Sequence, residues 1–394
     1  MLDKLMLRQV AAVRSWLVTS KKVDQSRRKG ETMAKSEDQL AELRGQIDEL
    51  DAQIVKLLNH RAEVVLQVGK LKQNSALSIY APHREKQVLD RIRTLNTGPL
   101  PDSVLEAIYR EMMSGSLLLE KPLRIGYLGP EGSFSHLAAT GKFGASVTYV
   151  PFTNIRNVFV EVSRRHCDLG VVPVENSVGG TVIEALDAFL ELHVKICAEM
   201  IVPIHLNLLA NYPLEEIKII YSKPEVFDQC RSWLSSQMNN VETMPVASTS
   251  RAAELAASQR GAAAIGSKMS ADLYGLKIVC ENVEDASNNY TRFVVIGPEP
   301  SKRTGQDKTA IMFATAHRAG ALADVIDVFR KYGINLSSIT SRPSRKQTWE
   351  YYFFVDAMGH QDDPEMIDAL KEVKEHCLLL SVLGSFPRAG EPPV

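Results

Sequence analysis

No apolar run in the 394 residues approaches the roughly 20 that a helix needs to cross a bilayer, so the sequence predicts no membrane span. Cysteine is scarce. Cys167, Cys197, Cys230, Cys280 and Cys377 are scattered and odd in number, and no C-x-x-C pair occurs. That pattern supports neither a zinc knuckle nor a disulfide framework; it reads as buried free thiols in a reducing compartment, and no metal or organic cofactor is called for. An excess of one charge is missing too. With 46 Lys and Arg against 47 Asp and Glu, nothing global points to nucleic acid or a membrane surface. Any anionic substrate must be recruited by local basic residues. The N-terminus lacks a continuous apolar core, which argues against a secretory signal. Residues 1–35 carry nine Lys and Arg against three Asp and Glu. They read as a disordered extension, or as an over-long start with Met33 as the initiator, rather than as an organellar leader. The expected location is cytoplasmic.

What is present falls into three blocks of different hydrophobic period, within the two to four domains that this length suggests. Residues 36–121 are expected to be all helical. Leu40, Leu43, Ile47, Leu50, Ile54, Leu57, Val64, Val68 and Leu71 recur at spacings of three and four, the mark of an amphipathic helix. Ser36 with Gln39 can cap it. So long a helix needs a partner along its length, which suggests a dimer or higher homo-oligomer. Pro82 starts a second helix and Pro101 precedes a third. Residues 123–298 alternate short buried strands with helices: Arg124–Leu128, Val147–Pro151, Leu169–Pro173, Ile217–Tyr221, Ala262–Ile265 and Phe293–Ile296. This is an α/β block long enough for two lobes with a cleft. Residues 299–307 read as a linker. Residues 308–387 follow the order β-α-β-β-α-β of a ferredoxin-like α+β fold.

In the first block Arg61 and Lys72 stand eleven apart, about three turns, on one helix face and roughly 16 Å from each other along the axis. Arg44 lies too far up the same helix to join them, except from a second protomer. Taken singly, each is as well read as a solvated helix charge. The segment Leu43–Lys72, then Arg84-Glu85, then Tyr109–Glu120 resembles the all-helical chorismate mutases. The resemblance implies that Arg44, Arg61, Lys72 and Arg84 hold the carboxylates and ether oxygen of chorismate. Glu85 would accept from the ring hydroxyl, Ser116 would add a polar contact, and Arg44 would come from the partner protomer. Such a site needs no nucleophile, because fixed cations stabilise the negative charge that grows on the ether oxygen. Glu120 stands where some relatives carry Gln; its protonated form can donate to that oxygen, whereas its carboxylate cannot. Ala81 replaces an Asp of some relatives.

In the second block the glycines Gly126, Gly129 and Gly132 are spaced G-x-x-G-x-x-G, with Pro130 inside the turn. That is not the dinucleotide fingerprint, so a dehydrogenase reading loses its support. Glu175-Asn176-Ser177 ends a strand, Ser248-Thr249-Ser250 precedes a helix, and Thr291-Arg292 opens the last strand. Hydroxyls, amides and backbone N–H groups at such ends hold anions well, although each also reads as an N-cap or a turn. The motifs G-P-E-G-S-F-S, P-V-E-N-S-V-G-G-T and T-R-F resemble prephenate dehydratase along the whole of 123–298. This implies a two-lobed fold like type II periplasmic binding proteins. Thr291 would be the main catalytic residue, Arg292 would bind a carboxylate of prephenate, and Glu175, Asn176, Ser177, Thr181, Ser248, Thr249 and Ser250 would line the pocket. Glu175 is also a candidate for the ultimate acid.

In the third block Gly320-Ala321-Leu322-Ala323 opens a helix and Ser341-Arg342-Pro343 follows a strand. These resemble the motifs of ACT domains attached to prephenate dehydratases, and imply phenylalanine as the effector between domains of a dimer. Thr340 replaces the usual Glu of the second motif; a dimerisation module without ligand is the plain alternative. Two other readings stay open for the whole chain: a non-enzymatic two-lobed sensor, which leaves the four basic residues of the first block unexplained, and a dehydratase that uses arogenate.

Overall fold

The computed structural model describes residues 37–72, 80–343 and 351–390. The expectations for residues 1–35 and for the Ser36 cap lie outside the described residues. The chain divides into two compact units between Val68 and Gly69. In the first unit the described residues form a helix, as the three-and-four spacing requires. Leu40, Leu43, Ile47, Leu50, Ile54 and Leu57 on it are all exposed.

The second unit opens with the helices Pro82–Leu95 and Asp102–Glu120. Pro82 sits in the first helical turn, where its missing N–H costs nothing. Arg93 and Glu106 tie the two helices together. Glu111 and Ser114 of the longer one accept from the backbone of Ala145 and Ser146, which fastens it to the α/β block.

The α/β block has two sheets. The first runs in the order Thr148–Phe152, Arg124–Leu128, Leu169–Asn176, Tyr290–Gly297, Lys195–Pro203. Its first three strands are parallel, and Tyr290–Gly297 is antiparallel to both neighbours. The second runs Lys277–Cys280, Asn207–Ala210, Ala262–Gly266, Ile219–Ser222, Glu242–Pro245. The chain leaves the first sheet through Lys195–Pro203 and returns through Tyr290–Gly297. These two crossing strands lie side by side, with Tyr290 opposite Pro203. The place where the lobes join is therefore also where Thr291 stands. Of the strands in this block, the short Gly180–Thr181, which pairs with Leu169–Asn176, and Lys195–Pro203, Asn207–Ala210, Glu242–Pro245 and Lys277–Cys280 were not among those expected.

The C-terminal sheet is fully antiparallel, in the order Leu336–Pro343, Tyr351–Met358, Asp307–Ala314, Leu379–Pro387. Side chains alternate along each strand. Ile311 and Phe313 therefore face the helices Ala321–Lys331 and Pro364–His376, in a core with Val325, Phe329, Met366 and Val373. Ala310 and Met312 face the other way. With Phe354, Leu383 and Phe386 they pack on Phe189, Ile196, Val294 and Ile296 of the α/β block. At one point the two backbones touch: a Cβ on Gly384 would lie 2.1 Å from the carbonyl oxygen of Ile196.

Candidate functional site

In the helical part, Lys72 Nζ meets Glu120 Oε2 at 3.0 Å, and the Glu120 side chain is only 8% exposed. A Cβ on Gly69 would stand 3.1 Å from Glu120 Cγ, so the glycine leaves room for that carboxylate beside Lys72. Glu85 accepts from Lys142 Nζ at 3.0 Å and from the Tyr80 hydroxyl at 3.4 Å. Burial first, then the Glu85 charge, pushes the Tyr80 phenol well above its usual range, so it stays a donor. Arg84 is exposed and bonds Gln87 on its own helix. Ser116 donates to Met112 O one turn back. In the first unit, Arg44 is exposed and Arg61 half-buried. A cavity of about 830 Å³ lies where this part, the first sheet and the C-terminal domain meet, with Glu85, Lys142, Glu199 and Asp307 on its wall.

In the α/β block the expected pocket residues separate by the two-residue period of their strands. Asn176 is opposite Thr291, whereas Glu175 is opposite both Arg292 and Thr181. Asn176, Ser177 and Thr291 form one connected group. Asn176 Oδ1 accepts from the N–H groups of Val178 and Gly179 at 3.0 and 2.6 Å. That fixes the amide, since an oxygen must face two donors. Its Nδ2 is thereby turned to Thr291 Oγ1 at 2.9 Å, and also to Asn289 Oδ1 at 2.9 Å. Ser177 donates to Asn288 O and accepts from Tyr290 N, and Asn289 reaches Gln229 at 3.2 Å.

Arg292 is not with this group. Its Nε donates to Glu199 Oε2 at 2.9 Å and its Nη1 to Asp356 Oδ2 of the C-terminal domain. Glu175, Thr181 and Arg292 line a small cavity of about 60 Å³ together with Thr340 and Asp356. The expectation that Thr291 and Arg292 share one pocket with Glu175 therefore does not match the geometry: neighbours on a strand point to opposite faces.

Ser248, Thr249 and Ser250 have three different surroundings. Ser248 caps its helix by accepting from Arg251 N, and Thr249 is buried. Ser250 donates to the carbonyl of Glu131. That carbonyl belongs to the turn Gly129–Ser133, in which Gly132 adopts φ of 81° and the Gly132 carbonyl accepts from Ser267 and Ser270 at 3.0 and 2.9 Å. The G-P-E-G-S motif thus docks the first lobe onto serines of the second. His136 braces it by accepting from Gly132 N at 3.1 Å. Burial lowers the pKa of His136. Asn289, Gln229, Ser267, Ser270 and His136 were not expected at the site; only the doubled Asn288-Asn289 gave a signal.

In the C-terminal domain Gly320 is left-handed, at φ of 82°, and caps the helix that Ala321 starts. Ala321 is buried, Leu322 packs on the core and Ala323 is exposed. Ser341 and Pro343 are exposed on an edge strand. Arg342 forms a two-pronged pair with Asp187 of the α/β block at 2.7 and 2.8 Å.

Three families match in order along the chain: "Chorismate mutase type II" over residues 43–121, "Prephenate dehydratase" over 125–301 and "ACT domain" over 309–375. A bifunctional chorismate mutase/prephenate dehydratase of Aquifex aeolicus is 44% identical over 357 residues, covering 89% of this chain and 99% of its own length. That of Pseudomonas aeruginosa is 40% identical over 360 residues, covering 90% and 99%. The chain belongs to the bifunctional chorismate mutase/prephenate dehydratase family. Among solved structures, the prephenate dehydratase of Arthrobacter aurescens in complex with L-Phe is 32% identical with a TM-score of 0.63, over 69% of this chain and 92% of that one. The Staphylococcus aureus prephenate dehydratase is 28% identical with a TM-score of 0.60, over 67% and 100%. The three regions described above are thus a mutase domain, a two-lobed dehydratase domain and an ACT domain. Among the described residues no helix is long and apolar enough to cross a membrane.

Proposed function

We infer that the chain converts chorismate to prephenate in its helical domain and prephenate to phenylpyruvate in its α/β domain, in phenylalanine biosynthesis. The family membership carries this reading, and the Asn176–Thr291 pair gives the second step its chemistry. The dehydratase expels CO2 and the ring hydroxyl as the ring becomes aromatic, so its task is to stabilise the departing oxygen. A hydroxyl that accepts from a fixed amide keeps its own proton for donation. Thr291, held by Asn176, therefore presents an O–H donor to the leaving oxygen. An alcohol is a weak acid, so this is transition-state hydrogen bonding rather than free proton release. In the mutase step Lys72, with Glu120 beside it, supplies the cation for the ether oxygen. Arg44, Arg61 and Arg84 take the carboxylates, with Arg44 donated by a second copy of the chain. The exposed apolar stripe of its helix supports that pairing. Phenylalanine is the expected effector of the ACT domain, through Gly320–Ala323 and Ser341–Pro343, and the likeness to a prephenate dehydratase in complex with L-Phe supports it. The reaction belongs in the cytoplasm.

One assay tests the whole reading: chorismate is supplied and prephenate and phenylpyruvate are followed, with and without phenylalanine. Wild type should form both products, and phenylalanine should lower the second. Thr291→Ala should form prephenate only, with phenylpyruvate formation down at least about 100-fold, the scale of losing one transition-state donor. Phenylpyruvate formed by Thr291→Ala at the wild-type rate would remove Thr291 from the site, and indifference to phenylalanine would leave the ACT domain a dimerisation module.

A further inference from the structure

A buried ionic cluster joins the dehydratase to the ACT domain directly behind Thr291. Arg292 is clamped between Glu199, on the adjoining strand, and Asp356. The Glu199 side chain is fully buried; it also takes Lys308 Nζ at 3.1 Å and Ala389 N at 2.9 Å. Arg292, Lys308 and Asp356 are each less than a fifth exposed. Two cations face two carboxylates, so the cluster is neutral overall, but it becomes unbalanced if any one member is lost. Burial disfavours the Arg292 charge, and Asp356 and Glu199 outweigh it, so the guanidinium is held more firmly protonated than usual. Three of the five members, Asp356, Lys308 and Ala389, belong to the ACT side.

The position of this cluster in the chain gives it its consequence. Arg292 follows Thr291 directly, so fixing one side chain fixes the shared backbone. The pairing with Leu169–Asn176 slips register between Arg292 and Phe293. On that edge the ladder constrains the backbone less; on the other edge Tyr290 to Val295 stay in register with Pro203 to Ala198, the strand that carries Glu199, so the side-chain anchor adds to the hold on that side. Thr291 is thus held from two sides, by Asn176 at its hydroxyl and by the cluster through its backbone.

We propose that Asp356 of the ACT domain is a positioning residue for the dehydratase reaction, acting through Arg292 on the strand that carries Thr291. The proposal rests on Thr291 being the dehydratase centre. A regulatory domain would then hold part of the active site in register even with no effector bound.

The test uses the full chain without phenylalanine, measuring dehydratase kcat and KM for prephenate alongside the mutase rate and the unfolding midpoint. Asp356→Asn keeps the shape and removes the charge. Its dehydratase kcat should fall at least about tenfold, within the range that sub-ångström to 1 Å misplacement produces. Its KM should change less than about threefold, and its mutase rate should hold. Asp356→Glu should recover part of the loss. Arg292→Lys, which keeps the charge but cannot fork between two carboxylates, should reproduce the kcat loss, and it stands in should Asp356→Asn not fold. A lowered unfolding midpoint with kcat within twofold of wild type would make the cluster a structural tie only and overturn the proposal. A KM raised tenfold in Arg292→Lys with kcat kept would overturn it in favour of a substrate ligand. Thr291→Ala, run beside them, separates the two levels: wild-type turnover there sinks the site assignment itself, whereas lost turnover there with normal Asp356→Asn sinks only the tether.

Discussion

His136 shows how one side chain can make the dehydratase sensitive to acid. Its Nδ1 accepts from the N–H of Gly132, which requires an unprotonated nitrogen. Burial lowers its pKa from the usual 6.5. The folded protein therefore binds fewer protons at His136 than the unfolded chain does. Its stabilising contribution is complete above about pH 6.5 and is lost as the pH falls through the lowered folded value. In urea unfolding, the wild-type midpoint should fall more steeply between about pH 7.5 and 5.5 than that of His136→Asn; equal slopes would show that the histidine has no such role. Individual residues were unevenly legible in the sequence. Thr291 and Asn176 stand in specific motifs, and the structure brings the two side chains together. Arg292 could be named but not placed: the partners that turn it from the cleft, Glu199 and Asp356, lie 93 and 64 positions away along the chain. Ser248 behaves as the cap that its position before a helix suggested, while Ser250 reaches a carbonyl 119 positions earlier.

At the scale of elements, local patterns carried most of the order. The four strands and two helices of the ACT domain follow the expected β-α-β-β-α-β order, because strand alternation and helix caps are local signals. The strand Lys195–Pro203 was missed, and with it Glu199; a carboxylate in the middle of an apolar run gives no sign from sequence that a cation from another domain will meet it. The near-continuous apolar stretch Thr309–Ala314 is covered on both faces, and nothing local in the sequence says what covers the second. The answer is the dehydratase sheet, and Gly384 marks how close the two come. Gly384→Ala would push a methyl into the Ile196 carbonyl. Overpacking among side chains costs about 1–3 kcal/mol; here the neighbour is backbone and Gly384 has a φ of 153°, so a drop in unfolding free energy of at least that size is expected. An unchanged value would mean that the strand Leu379–Pro387 shifts freely on its neighbour.

For the whole molecule, the exposed stripe from Leu40 to Leu57 is the main unfinished surface of the first unit, and a long helix that is apolar on one side is stable only when covered. If a second copy covers it and lends Arg44, the mutase site is shared between protomers. Arg44→Ala and Lys72→Ala should each be inactive as mutases. Co-refolded together, they should regain activity, since the mixed dimer holds one site with both residues intact. No recovery in a mixture shown to be dimeric would place Arg44 and Lys72 in the same protomer.

Residues 298–306 connect the strand Tyr290–Gly297 to the strand Asp307–Ala314. Ser301 is buried and bonded to Ser385, and Val294, Ile296, Met312, Phe354 and Phe386 share one core across the two domains. A protease that cut there would nick the chain without parting the fold. A gene that ended there would leave an oily face open to any passing chain. The two domains are thus separable on a map of the sequence and inseparable as a cloned fragment. Exchanging one ACT domain for another would have to carry across the sheet face and its charges, as well as the effector site.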